Sequence, residues 1–365
     1  MLAAVGSTAV GITFWRQALG RLLREFAAVP PEPLAAPGPT SVIVVARDEA
    51  PRLPRLLDDL LAQAMPDLEV VVADDDSADG TAEVVERRAR EDRRLRYLPT
   101  GPKRHPGKKA ALAAAIAHAR HDWLLTTDAD CRPATPLWAA AMRTAAGPHH
   151  EFVLGYSPYR RSPTPTWLNR WIRFEAFYTA VLYLGAALAG RPYMGVGRNL
   201  LYARRVYERV GGFAGHAHLA GGDDDLLVAA GAGGGNVGVC LDRRAWTYSE
   251  AHASWPTYAR QKRRHLSVSH AYRPLDRLWL GLLAAAHVGH YAALLGLLAQ
   301  GRARAALALY GVRMAAIWPR TARLQRQMDV GDLAGLFPLA DAALVGYYLL
   351  GAASIALPRG RSDHW

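Results

Sequence analysis

Leu124-Leu-Thr-Thr-Asp-Ala-Asp-Cys131 is an apolar run that stops at two aspartates one residue apart. An apolar run of this length reads as a buried strand, and acid at its end is delivered to the carboxyl edge of an α/β sheet, where such sheets bind ligands. There Asp128 and Asp130 can jointly hold a hard divalent cation, Mg²⁺ or Mn²⁺, which in turn neutralises a diphosphate. A solvated Asp-rich turn has the same local sequence, so the reading rests on what surrounds the triplet.

Two units of the same kind precede it. Ser41–Ala46 is an apolar strand ending in Arg47, Asp48 and Glu49, followed by leucines at helical spacing over Pro51–Gln63. Leu68–Ala73 is a second strand, ending in Asp74, Asp75 and Asp76 before a predicted helix over Ala82–Arg90. Ser77 or Asp79 can cap that helix, and Asp79-Gly80 favours a turn, so part of the acidic string has a local explanation. Three consecutive aspartates repel one another unless a cation, a base or a ribose hydroxyl satisfies them. Strand, helix and strand in alternation predict an α/β domain with a Rossmann-like, mostly parallel sheet.

The flanking sequence points to lipid. Met1–Trp15 is apolar and is followed by Arg16, Arg21 and Arg24, the reverse of a signal peptide's charge order. It reads as a short membrane helix with a cytoplasmic basic end, or as an interface helix. Pro30–Pro39 holds five prolines and forms a stiff linker. Thr166–Ala189 is rich in aromatics with Arg170 and Arg173, which suits an amphipathic interface helix, the lining of an acceptor path, or a core helix. Leu278–Ala299 has no Asp, Glu, Lys or Arg over 22 residues, enough to cross a bilayer. Ala305–Trp318 contains Arg313 and spans only if that arginine snorkels or faces protein, while Leu333–Leu357 is interrupted by Pro338 and Asp341. The organisation expected is a helix in 1–29, a linker in 30–39, a catalytic domain in 40–272 and two to three membrane helices in 273–365. Arg320–Arg326 then lie with the catalytic domain in the cytoplasm, as the positive-inside tendency favours.

A net charge of +12 suits a nucleotide, an anionic lipid surface or a nucleic acid. Nucleic acid is disfavoured, because the aromatics lead toward the apolar segments and not to a basic face of a soluble domain. Cys131 and Cys240 lie far apart, without the spacing of a disulfide framework or zinc site, which suits a reducing compartment. Nothing in the sequence speaks to oligomeric state.

Taken in order, SVIVVARDE (Ser41–Glu49), ADDDSADGT (Ala73–Thr81), GKKAAL (Gly107–Leu112) and TTDADC (Thr126–Cys131) resemble the successive motifs of family 2 glycosyltransferases with the GT-A fold. The resemblance implies that Glu49 and Asp75 contact uridine, that Ala46 and Arg47 wall the base pocket, and that Lys108 approaches the donor phosphates. It assigns Asp128 and Asp130 to the metal and the donor diphosphate. Ala113 stands where many members carry Asn, and Lys103, Arg104 and Lys109 make the surrounding loop a basic lid. Met194–Leu201 resembles the family's small-residue stretch, and Gly222-Asp223-Asp224-Asp225 its Gly-Glu-Asp motif. On that alignment Asp224 is the base of an inverting transfer; a shift of one residue makes it Asp223. Gln261-Lys-Arg-Arg264-His265 resembles the Gln-x-x-Arg-Trp element of membrane-embedded members, in the cellulose-synthase-like and ceramide-glucosyltransferase-like branch. By that likeness Arg264 clamps the departing diphosphate and Gln261 sits near the acceptor. His265 in place of Trp argues against processive synthesis.

The implied protein is an inverting, metal-dependent glycosyltransferase of the cell membrane. It would take a nucleotide-sugar donor, with UDP implied by the resemblance, and a lipid or glycan acceptor. A processive polysaccharide synthase is the nearest alternative, and a catalytically silent membrane scaffold that kept a nucleotide-sugar fold is the alternative of another class.

Overall fold

The computed structural model describes residues 2–29, 37–102, 107–233 and 235–356. Lys103, Arg104 and most of the 30–39 linker lie outside the described residues. The chain divides into two compact units, one built from Ala28–Arg160 and Ala186–Ala251, the other from Met1–Ala27, Arg161–Gly185 and His252–Gly360.

The first unit holds nine strands among its described residues: β1 Thr40–Ala46, β2 Leu68–Asp74, β3 Leu95–Pro99, β4 Trp123–Asp128, β5 Cys131–Pro133, β6 Phe152–Gly155, β7 Leu200–Ala203, β8 Val237–Cys240 and β9 Thr247–Ser249. Seven of them form one sheet in the order β3-β2-β1-β4-β7-β6-β8, and β5 pairs with β9. The first four are mutually parallel, β7 runs antiparallel to β4 and β6, and β6 is parallel to β8. β1 and β2 are buried at every position, the reason both read as continuous apolar runs instead of alternating ones. The helix Leu53–Leu61 buries Leu53, Leu56, Leu57 and Leu60, the stripe that its spacing predicts. Strand register decides where the acids go: Ala46 pairs with Asp74 and Val45 with Asp128, so β1, β2 and β4 end level at one edge.

The second unit is helical. Helix Leu2–Ala28 outruns the apolar stretch read from sequence, and Trp167–Ala187, Trp255–Leu266, Pro274–Ala299, Ala303–Gln327 and Phe337–Ala356 follow. Pro274–Ala299 and Gly331–Ala352 are long and apolar enough to cross a membrane. Only 17% and 22% of their apolar windows are buried, so they are not the covered core helices of a soluble bundle. Pro338 causes no break, because it falls in the first turn of its helix, where a missing N–H costs no hydrogen bond. Arg313 and Asp341, which interrupt two apolar stretches in the sequence, are paired with each other. Trp15 packs on Tyr178 with ring centroids 4.9 Å apart, Arg173 binds Asp332 at 2.8 and 2.6 Å, and Lys262 meets Glu175 at 2.6 Å.

Candidate active site

The ends of β1 and β2 are cross-tied. Ser77 Oγ accepts from the N–H of Asp48, Asp48 Oδ1 accepts from Ala78, and Asp79 Oδ2 accepts from Ala50. Asp79 also accepts from Thr81 at the start of helix Thr81–Glu91, so Ser77 and Asp79 hold the two loops together. Of the three consecutive aspartates, Asp74 is satisfied by the Tyr97 hydroxyl at 2.9 Å and the Ser77 N–H at 3.0 Å. Asp76 is exposed and in the left-handed region at φ 64°. Asp75 is buried beside Ala46, whose carbonyl accepts its N–H at 2.8 Å. Next to them the Nη1 of Arg47 is buried with no hydrogen-bond partner among the described residues. An orphaned buried donor is expensive, and this one lies at the end of β1.

Glu49 pairs with Arg52 at 3.0 Å. Burial pushes its carboxyl up against that pairing, and the Asp130 and Asp128 carboxylates add to the push. The first strand's acid therefore feels the field of the two that end β4. The ligand atoms of Asp128, Asp130 and Cys131 all lie within 4.8 Å of one another. Cys131 is buried, its thiol contacts Ser249 Oγ at 3.0 Å and reaches toward Asp130 Oδ1 at 3.6 Å, and burial pushes its pKa up. Two carboxylates this close fit a hard divalent cation.

Lys108 joins this group to the acids of the Gly222–Asp225 turn. Its Nζ lies 2.5 Å from Asp128 Oδ1 and 3.1 Å from Asp223 Oδ2. Burial opposes the lysine's charge, and the two carboxylates more than offset it, so the ammonium is held charged. Asp224, at the N-cap of helix Asp225–Gly231, accepts from Gly197 N at 2.6 Å and Asp225 N at 2.8 Å. Burial raises its pKa to about 6, the Asp223 carboxylate adds to the rise, and Lys108 and the two N–H groups restrain it. A carboxylate near neutrality with a fixed orientation is the chemistry of a general base.

Asp128, Asp130, Asp223, Asp224, Lys108, Glu49, Asp75, Ala46 and Arg47 thus all belong to the first unit. Gln261 and Arg264 are on helix Trp255–Leu266 of the other unit. Two side chains gain importance that the motifs had not given them. Arg198, in the small-residue stretch, donates to Ser249 Oγ at 2.8 Å and Ser157 O at 3.2 Å and stacks on Tyr159 at 4.4 Å. Burial works against its charge, and Tyr159, Cys131, Asp128 and Asp130 hold it on, placing a fixed cation beside the paired aspartates. A lone arginine in a glycine-rich apolar stretch was the available signal. Lys109 is the second, and it is buried instead of lying on a lid.

Residues 41–211 match the model of glycosyl transferase family 2. The chain carries a glycosyltransferase domain of the GT-A fold. Among solved structures, this glycosyltransferase is similar to a mannosyltransferase from Pyrobaculum calidifontis in complex with GDP-Man and Mn²⁺, at 21% identity and a TM-score of 0.56, over 97% of this chain and 100% of that one. Residues 1–349 of TarS from S. aureus align at 17% identity and a TM-score of 0.45, over 86% of this chain and 92% of that one. No curated protein matches the chain.

Proposed function

We propose that this glycosyltransferase moves a sugar, with inversion, from a nucleoside diphosphate donor to a membrane-associated acceptor, a lipid by preference. The observation that carries the reading is Lys108, one ammonium in contact with an acid of the β4 pair and an acid of the Gly222–Asp225 turn. Donor phosphate and acceptor hydroxyl must meet at such a junction.

In this reading Ala46, Arg47, Glu49 and Asp75 hold the nucleoside, UDP by the resemblance of the donor motifs, with the unpartnered Arg47 Nη1 as a buried donor that the described residues leave unused. Asp128 and Asp130 are the ligands for Mg²⁺ or Mn²⁺, which when bound supplies charge neutralisation to the diphosphate. The Pyrobaculum mannosyltransferase, with its GDP-Man and Mn²⁺, supports both donor class and metal. Lys108 turns from its carboxylates to the phosphates as they arrive. Asp224 takes the acceptor hydroxyl's proton while that oxygen attacks the anomeric carbon, and a single displacement inverts the centre. Arg264 and Gln261 are assigned to the leaving diphosphate and the acceptor.

The two apolar helices, with their unburied faces, support a multi-pass protein of the cell membrane with a cytoplasmic catalytic unit. His265, in place of the tryptophan of the resembled element, favours single addition over polymer synthesis. The test is to incubate membranes containing the full chain with UDP- and GDP-sugars and Mn²⁺, and to weigh the products. A lipid heavier by one sugar is expected. Long polymer would establish the processive alternative, and nucleotide binding without transfer from any donor would establish the silent scaffold.

A further inference from the structure

Lys109 is 2% exposed although it follows Lys108 at the start of helix Lys109–His118. Its Nζ donates to the carbonyl oxygens of His216 at 2.9 Å, of Leu219 at 2.6 Å and of Gly221. An ammonium has three N–H donors, and all three are committed to one short loop. The same loop is also closely approached by Gly107, at φ +79°, where an added Cβ would overlap the Ala220 carbonyl oxygen. Gly222, at φ +91°, ends the loop, and Asp223 and Asp224 come next. The Gly107-Lys108-Lys109 turn therefore grips the acids twice, by Lys108 on the Asp223 carboxylate and by Lys109 on the main chain just before it.

We propose that Lys109 is a positioning residue for the acceptor-side base, its three carbonyl contacts setting the 216–221 loop and, through it, the aim of Asp223 and Asp224. This rests on the reading of Asp224 as base. Nothing in the contact set calls for Lys109 to touch donor or acceptor. A displacement of about 1 Å at a reacting group costs on the order of 100-fold in rate, so a buried ammonium whose three donors are all spent on the loop can act through geometry.

The test compares Lys109→Met, which removes all three donors, with Lys109→Gln, which keeps two. Each is measured for nucleotide affinity by titration, for kcat and donor KM in sugar transfer, and for amide hydrogen exchange across 214–226. Expected for Lys109→Met is a kcat about 100-fold lower with donor KM and nucleotide affinity within about threefold of wild type. Exchange should quicken at 216–225 and stay unchanged in β1, β2 and β4, with Lys109→Gln intermediate. If Lys109→Met does not fold, Lys109→Gln carries the exchange and kcat measurements alone. A kcat and exchange pattern like wild type overturns the proposal, as does a loss of nucleotide affinity that matches the loss of kcat. Asp224→Asn separates the two assignments: if it transfers sugar at the wild-type rate the base is misassigned, whereas exchange at 216–225 in Lys109→Gln still reports on the clamp.

Discussion

Arg313 and Asp341 form a doubly hydrogen-bonded ion pair, Nε to Oδ2 at 3.0 Å and Nη2 to Oδ1 at 2.9 Å, with both side chains at most 2% exposed. His287 and the Tyr291 hydroxyl complete it, the hydroxyl donating to Asp341 Oδ2 at 2.7 Å. The pair joins helix Ala303–Gln327 to helix Phe337–Ala356. Removing one partner strands a buried charge, at a cost of about 3–5 kcal/mol, while replacing both with apolar residues of like volume is close to neutral. Asp341→Leu alone is therefore expected to lower the melting temperature in detergent sharply, and Arg313→Met with Asp341→Leu to restore most of it. Equal losses in the single and double variants would mean that the pair contributes nothing as a pair.

The same two residues show what a sequence can and cannot disclose. Each is an interruption to an apolar stretch when read alone, and only the partner 28 positions away turns the two into a joint. The parallel half of the sheet was legible because its information is local: β1, β2 and β4 are largely apolar runs with Asp or Glu at or just beyond their ends, and parallel register brings Ala46, Asp74 and Asp128 level. Lys108 and Asp224 enter by resemblance, and the structure puts both beside Asp223. Lys109 reads as part of a basic lid because a charged residue beside other charges is ordinarily solvated, and its partners lie more than 100 residues downstream. Arg198 stands out as a lone charge in a glycine-rich apolar stretch, but its contact to Ser249, 51 residues on, depends on the pairing of β5 with β9.

Lys108 is expected to matter more to donor binding than to the fold. Lys108→Met removes the cation between Asp128 and Asp223, leaving the two acids to repel each other. Nucleotide affinity should fall by at least about tenfold, the worth of roughly 1.4 kcal/mol of charge-assisted contact. Calorimetric titration with the nucleoside diphosphate decides it, and unchanged affinity would remove Lys108 from the phosphate site.

Chelation is expected to abolish transfer, and Mn²⁺ to restore it. Asp128→Asn and Asp130→Asn should each weaken Mn²⁺ binding by at least about 10- to 100-fold, the range that follows the loss of even an outer-shell partner of a metal ligand. Electron paramagnetic titration of free Mn²⁺ reads this without any assay of transfer. Because Cys131 braces Asp130 through its thiol, Cys131→Ala should weaken binding less than either aspartate change does.

Asp224 gives the pH dependence its sign. Burial and the neighbouring Asp223 raise its pKa to about 6, and a base works only when deprotonated, so kcat should rise with pH through about 6 and level off above it. Gly197 supplies one of the two N–H groups that hold the carboxylate, and an added Cβ there would stand 3.3 Å from Asp224 Oδ2. Gly197→Ala crowds the anion and lowers its solvation, which should move the acid limb of the profile upward while nucleotide affinity stays the same. Asp224→Asn should remove both the limb and the transfer, whereas a limb that survives in that variant would move the base to Asp223.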